Sequence, residues 1–388
     1  MTDISIEKTK LGTAVVVVLC ATLIYSTLLY GGVDSGAITL FTLSTFLITL
    51  LWSACAWKQS QFELYATRLY WPMIGIIAVG LFQLLPVRNM DRLTEVLGTP
   101  AASALSFDPY ATRLFLIRAF LYLVFFAAAL TFINSDKRLR RVAWTVVIFG
   151  SVIAFFGILQ WLAKPDAIYG LRPTPQAIPF GPFVNQHHFA ALMEMTGGLT
   201  LGVLLGKGIK KDKRPLLMIA LILMIIAIVL TGSRGGLLSF VGVALFVVLG
   251  TFAFESGGKI SGTMPTRKTV SWLLPAVGIA AAILLIAICS VVFLGGEGSL
   301  LRGTGVQNSQ IDVTSGRFGF WKIGVQIFLN HPIIGAGFDA FGSAFTRFDP
   351  SNGSFRVEQA HNDYLQMLAD GGLAAFGCVG AFIYFLFR

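Results

Sequence analysis

The chain reads as an all-α polytopic membrane protein with about ten transmembrane helices and a large extracytoplasmic loop between the last two. Three observations lead there. Of its 388 residues, 55% are hydrophobic and only 12% charged, whereas a soluble domain carries about 25% charged residues. Apolar runs of the roughly 20 residues needed to cross hydrocarbon recur along the sequence. Lysine and arginine are dense in alternate loops, the pattern that sets orientation in a bilayer.

The spans fall near 11–30, 36–57, 69–86, 113–133, 142–163, 184–206, 215–231, 236–254, 271–294 and 371–388. The last is short, with sixteen residues after Gly372, so the natural chain is expected to continue past Arg388. The head "MTDISIEKTK" has mixed charge and no clear cleavage pattern after it, which makes the first span a signal anchor. Cys20, Cys55, Cys289 and Cys378 all lie in apolar runs and read as small hydrophobes. The sequence contains no Walker loop, GxSxG elbow or zinc-ligand spacing.

With the N-terminus in the cytoplasm, the segments 134–141, 207–215 and 255–270 fall inside. The segments 87–112, 164–183, 231–235 and 295–360 fall outside. Counted with the N-terminal head, the loop between the second and third spans and Arg388, Lys and Arg number 17 inside and 10 outside, although the outer segments are longer. The net charge of +10 is therefore mainly a topology signal, and no nucleic-acid partner is expected.

Four stretches on the outer side carry candidate chemistry. In "TGSRGGLLSF", Arg234 is the one charge between Pro215 and Phe254. Held in a tight turn, its guanidinium belongs at or just below the membrane surface. It either faces an anionic ligand, with Gly232, Gly235 and Gly236 allowing close approach, or snorkels to headgroups. In "RPTPQAIPFGPFVNQHHFAALMEM", prolines keep 173–182 extended and Asn185 caps a helix. His187 and His188 occupy its first turn, with Glu194 two turns deeper on the face of His187. These histidines either meet substrate or bond to loop carbonyls.

The segment 312–330 predicts a helix capped by Thr314/Ser315 and carrying Arg317. Lys322, Gln326 and Asn330 form its polar stripe, and Phe318, Trp321, Val325, Phe328 and Leu329 suit a surface on the bilayer or on the spans. "NHPIIGAGFDAF" ends that helix sharply, with His331 capping carbonyls. In "EQAHNDYLQMLADGG", His361 opens a helical turn, with Asp363 beside it and Tyr364 and Leu365 on its face. A general base and a helix cap both fit His361.

"TGSRGGLLSF", "GRFGFWKIGVQIFLNHPIIGAGFDAF" and "HNDYLQMLADGGL", in this order, resemble the O-antigen ligase and polymerase superfamily. "GPFVNQHHFA" is similar to a segment of exopolysaccharide-associated members. The resemblance covers about 180–388, so residues 1–180 read as N-terminal transmembrane helices and 181–388 as the ligase/polymerase-like region. It implies a GT-C-like glycosyltransferase of the bacterial inner membrane, metal-independent and without cofactor, active on the periplasmic face. The donor would be a polyprenyl-diphosphate-linked oligosaccharide. The acceptor would be a glycan or lipid-anchored hydroxyl, with a flippase and a chain-length regulator as partners.

By the same resemblance, Arg234 and Arg317 would bind and neutralise the diphosphate, and His361 would take the proton of the attacking hydroxyl or orient the acceptor. Asn185, His187, His188 and Tyr364 are further substrate-binding candidates. Polymerase is slightly favoured over ligation to lipid A core. The rival class is a transporter of an anion or glycolipid, in which Arg234 would line a pathway.

Overall fold

The computed structural model describes residues 9–87, 103–174, 178–206, 209–257, 317–349 and 357–388, with backbone alone at Arg234, 252–257 and Arg317. Its helices are α1 (Lys10–Leu28), α2 (Ser35–Gln59), α3 (Tyr70–Gln83), α4 (Pro109–Phe132), α5 (Asp136–Ala163) and α6 (Gln186–Leu205). They continue with α7 (Arg214–Leu230), α8 (Arg234–Gly257), α9 (Arg317–Asn330), α10 (Phe341–Phe345) and α11 (Asp363–Leu386). Among the described residues, seven helices are long and apolar enough to cross a membrane. Large apolar side chains such as Leu238 and Trp71 stand 75% and 70% exposed, a surface that suits lipid and not water.

Of the ten spans expected, seven coincide with these long helices, and 69–86 and 236–254 coincide with shorter apolar helices. The span at 271–294 and the Thr314/Ser315 cap lie outside the described residues. The run 69–86 forms a helix of only 14 residues, about 21 Å at a rise of ~1.5 Å per residue. The basic stretch 134–141, expected as a loop, is mostly helix. Ser135 caps α5 by accepting from the Arg138 N–H, and Asp136 sits in the first turn, where a carboxylate meets the positive end of the helix dipole.

Two compact units interleave along the sequence: Met1–Cys55 with Phe132–Gly303, and Ala56–Thr131 with Thr304–Arg388. In the first, α5, α6, α7 and α8 pack around Ile153, Phe189, Met193, Met224, Ile228 and Phe240. Small residues let these helices approach, as bilayer packing requires. A β-carbon on Gly150 would lie 2.9 Å from both Met224 and Thr196, and one on Gly197 would lie 2.8 Å from Phe240. Between α5 and α6 runs a short hairpin, β1 (Ala167–Ile168) with β2 (Arg172–Pro173). The proline-rich segment is not extended throughout, because Phe180 and Phe183 pair backbone to backbone across a turn and pack their rings on Phe189.

In the second unit, α3 packs along α11, and α9 and α10 pack on the start of α11 around Ile323, Ile327, Phe341, Phe345, Ala360 and Ala369. The packed face of α9 is thus Ile323, Gly324 and Ile327. Phe318, Val325 and Leu329 are exposed on the other side of the helix. Helix α11 breaks at Gly372, whose φ of 62° and ψ of −164° are open to glycine alone.

The loop after α9 threads that break. Its Ala336 and Gly337 N–H groups donate to the Ala369 and Asp370 carbonyls, while Leu373 and Ala374 donate to Pro332 and Ile333. Gln83 of α3 completes the junction. Its amide donates to the carbonyls of Ile334 and Asp370, and its oxygen accepts from the Phe338 N–H. Backbone groups freed by a helix break at membrane depth need such internal partners.

Candidate functional site

Each unit assembles one cluster of the residues singled out in the sequence. In the first unit, Asn185 caps α6 as expected, its side chain accepting from the His187 N–H at 2.8 Å. His187 then reaches across to the turn before α8, where its Nδ1 lies 2.9 Å from Ser233 Oγ. Ser233 is buried and also accepts from the Gly236 N–H at 3.2 Å, which makes it the N-cap of α8.

Arg234 therefore occupies the first position of a capped helix, where the N–H groups and the dipole already favour an anion. Gly232 takes a φ of 66° in the turn, and a β-carbon on Gly235 would meet nothing within 4 Å. At Gly236 a β-carbon would instead press on Ala190 at 2.8 Å and on Ser233 and Glu194 at 3.2 and 3.3 Å. One glycine leaves open space beside Arg234, and another lets α8 close against α6. His188 is exposed on α6 and takes no part in the bond to Ser233.

In the second unit the cluster surrounds His361. The expectation that His361 opens a helical turn is corrected. Asn362 is the N-cap of α11, its Oδ1 accepting from the Leu365 N–H at 3.2 Å. His361 precedes the cap with a φ of 51°, a left-handed conformation uncommon outside glycine and costly unless its surroundings impose it. Lying outside the helix, it shares no helical face with Tyr364 and Leu365.

The residues around it do impose that conformation. On one side, Trp321 Nε1 donates to the Ala360 carbonyl at 3.0 Å, and the His361 ring lies 6.2 Å from that of Phe320. On the other, the Ala360 N–H donates to Gln366 Oε1 at 2.7 Å, while Gln366 Nε2 donates to Asp370 Oδ2 at 2.8 Å. Asp370 is buried. His361 itself is exposed, as is Tyr364. Arg317 opens α9 one turn before Phe320 and Trp321, on the same helical face.

His331 closes α9 through its backbone, donating to the Ile327 and Phe328 carbonyls, and its ring meets Phe107 edge-on. Among the described residues no group of three His, Cys, Asp or Glu is placed to hold a metal ion.

Ser233, Gln366, Asp370 and Gln83 are not singled out by the sequence reading. The spacing of Gln366 and Asp370, four apart at a span mouth, is the available signal for a shared helix face. Ser233 preceding a new apolar run is a visible cap signal.

Long apolar helices carrying two polar clusters at helix starts define a multi-pass, all-α membrane protein. Residues 219–380 match the family model described as O-antigen ligase. That stretch, which holds Arg234, Arg317 and His361, is the part of the chain that is similar to the family. No curated protein matches the chain.

Proposed function

We propose that the protein transfers a glycan from a polyprenyl diphosphate carrier to an acceptor hydroxyl on the periplasmic face of the inner membrane. The observation that best supports this is His361. It is exposed and held left-handed by bonds to both backbone groups of Ala360, one turn from the helix start that carries Arg317.

Its imidazole takes the acceptor's hydroxyl proton as the oxygen attacks the anomeric carbon. The carbon–oxygen bond to the carrier breaks, and the electron pair leaves with the diphosphate. Arg234 and Arg317 bind that diphosphate, whose growing charge preorganised guanidinium groups stabilise. Asn185 and His187 set the turn that bears Arg234, while His188 and Tyr364 offer exposed contacts to sugar. The segment "GPFVNQHH" favours a polymerase, in which the acceptor is a second lipid-linked repeat.

The test is reconstitution of the protein with a polyprenyl-diphosphate-linked oligosaccharide as donor. A product ladder supports polymerase, and a single adduct on a supplied fixed acceptor supports ligase. Movement of intact donor across the vesicle membrane without glycan transfer would replace the reading with a transporter.

A further inference from the structure

A groove of about 740 Å³ runs between α1 and α5 and belongs to neither polar cluster. It is large enough for a small-molecule ligand, for which roughly 300–1,000 Å³ is usual. Its two ends differ in chemistry. Four cations, Lys137, Arg138, Arg140 and Arg141, line one end. Apolar and small side chains of the two spans line the rest, with Val17 and Ile148 standing 60% and 58% exposed along it.

Helical spacing produces this polarity. Lys137, Arg141, Trp144 and Ile148 follow one another at intervals of four, three and four, so the stripe facing α1 is charged in its first turns and apolar below them. Thr13, Cys20 and Ala21 on α1 are small, which leaves the volume open.

Lys213, at the start of α7, adds a further cation, with its ammonium 5.2 Å from the Trp144 ring centroid. Arg138 is committed to the fold, its guanidinium donating to the Phe132 carbonyl at 2.9 Å. Lys137, Arg140 and Arg141 are exposed. Among the described residues the ion pairs that form, Arg118–Asp339 and Arg172–Asp34, involve none of them. The nearby acid in sequence is Asp136, in the same first turn.

We infer that this groove binds an anionic phospholipid, its phosphate on Lys137, Arg140 and Arg141 and one acyl chain along Val17 and Ile148. A positive loop that only set orientation would need the charges and not the apolar channel continuous with them. The site is also distinct from the Arg234 turn. The end of α5 packs on the Phe189 side of α6, close to His187, whereas the basic residues lie at the start of α5, 28 residues long. The lipid is therefore a resident of the opposite end of the bundle from the diphosphate proposed for Arg234.

The test uses the full chain in uncharged detergent, titrated with brominated phosphatidylglycerol or brominated phosphatidylcholine while tryptophan fluorescence is read. Trp144→Phe identifies the share of quenching that comes from the groove. Phosphatidylglycerol is expected to quench Trp144 at concentrations at least about tenfold lower than phosphatidylcholine. Each cation near a lipid headgroup contributes roughly fivefold, so Lys137→Gln/Arg140→Gln/Arg141→Gln should weaken that binding by about a hundredfold.

Val17→Phe, which fills the channel and keeps every charge, should weaken it as well. Inorganic phosphate should not displace the lipid. Equal quenching by the two lipids in the unaltered protein would overturn the inference, and that comparison needs no variant to fold. So would an undiminished preference in the triple variant, or displacement by phosphate alone.

Discussion

Replacing Gln366 by methionine keeps the length of the side chain and removes both of its hydrogen bonds. The Ala360 N–H, in a residue with no exposed surface, loses its acceptor at 2.7 Å, and Asp370 Oδ2 loses a donor at 2.8 Å. Leaving a buried polar group without its partner costs about 1–3 kcal/mol. Two such losses put Gln366→Met roughly 2–6 kcal/mol below the parent in stability.

The kinetic effect should be concentrated in kcat. Ala360 sets the path into His361, and a displaced base loses rate more than it loses donor affinity. Gln366→Glu separates the two bonds, since it retains an acceptor for Ala360 but turns an oxygen toward the Asp370 carboxyl. It should be destabilised yet keep more kcat than Gln366→Met. The assay is glycan transfer in proteoliposomes with donor varied, alongside thermal unfolding of the purified protein. Parental stability and parental kcat in Gln366→Met would refute the claim that this side chain holds His361.

Other substitutions test neighbouring statements. His361→Gly should fold at least as well as the parent, because glycine adopts a φ of 51° without penalty, while transfer falls about 10²–10⁴-fold with the base removed. His361→Asn also tolerates that conformation and should remain inactive, since the cap is Asn362. Recovery of activity with asparagine would assign His361 a structural role. Arg234→Lys retains charge but loses the planar fork, and transfer should drop by about 10²-fold at normal protein level. Unchanged transfer would make Arg234 a headgroup anchor. Gly372→Ala would drive a β-carbon into the Ile333 carbonyl and add strain of about 1–3 kcal/mol, so it should lower the unfolding temperature. A normal melting curve would mean that the break in α11 can be rebuilt without glycine.

Local chemistry is legible where the cause is local. The cap at Asn185, the helix from Arg317 and its abrupt end at "NHPIIGAG" follow from propensity and breaker residues within a few positions. The difference at 134–141 is also local: its charge suggests a loop, although Ser135 and Asp136 are a helix start. His361 is harder. Its left-handed backbone depends on Trp321 and Gln366 acting on Ala360 from two different helices, and no window of neighbouring residues contains both.

Hydrophobic runs and charge alternation determined by themselves that this chain is a multi-pass helical membrane protein. Those properties are set residue by residue, through transfer to lipid and intrinsic helix preference. Only the tertiary structure decided which freed backbone group meets which partner. Gln83 serves carbonyls 251 and 287 positions away, and Ser233 meets a histidine 46 positions back. Within hydrocarbon no water can satisfy a broken helix or an open turn. The partner must come from wherever packing brings a donor or acceptor, which is a property of the folded unit and not of any segment within it.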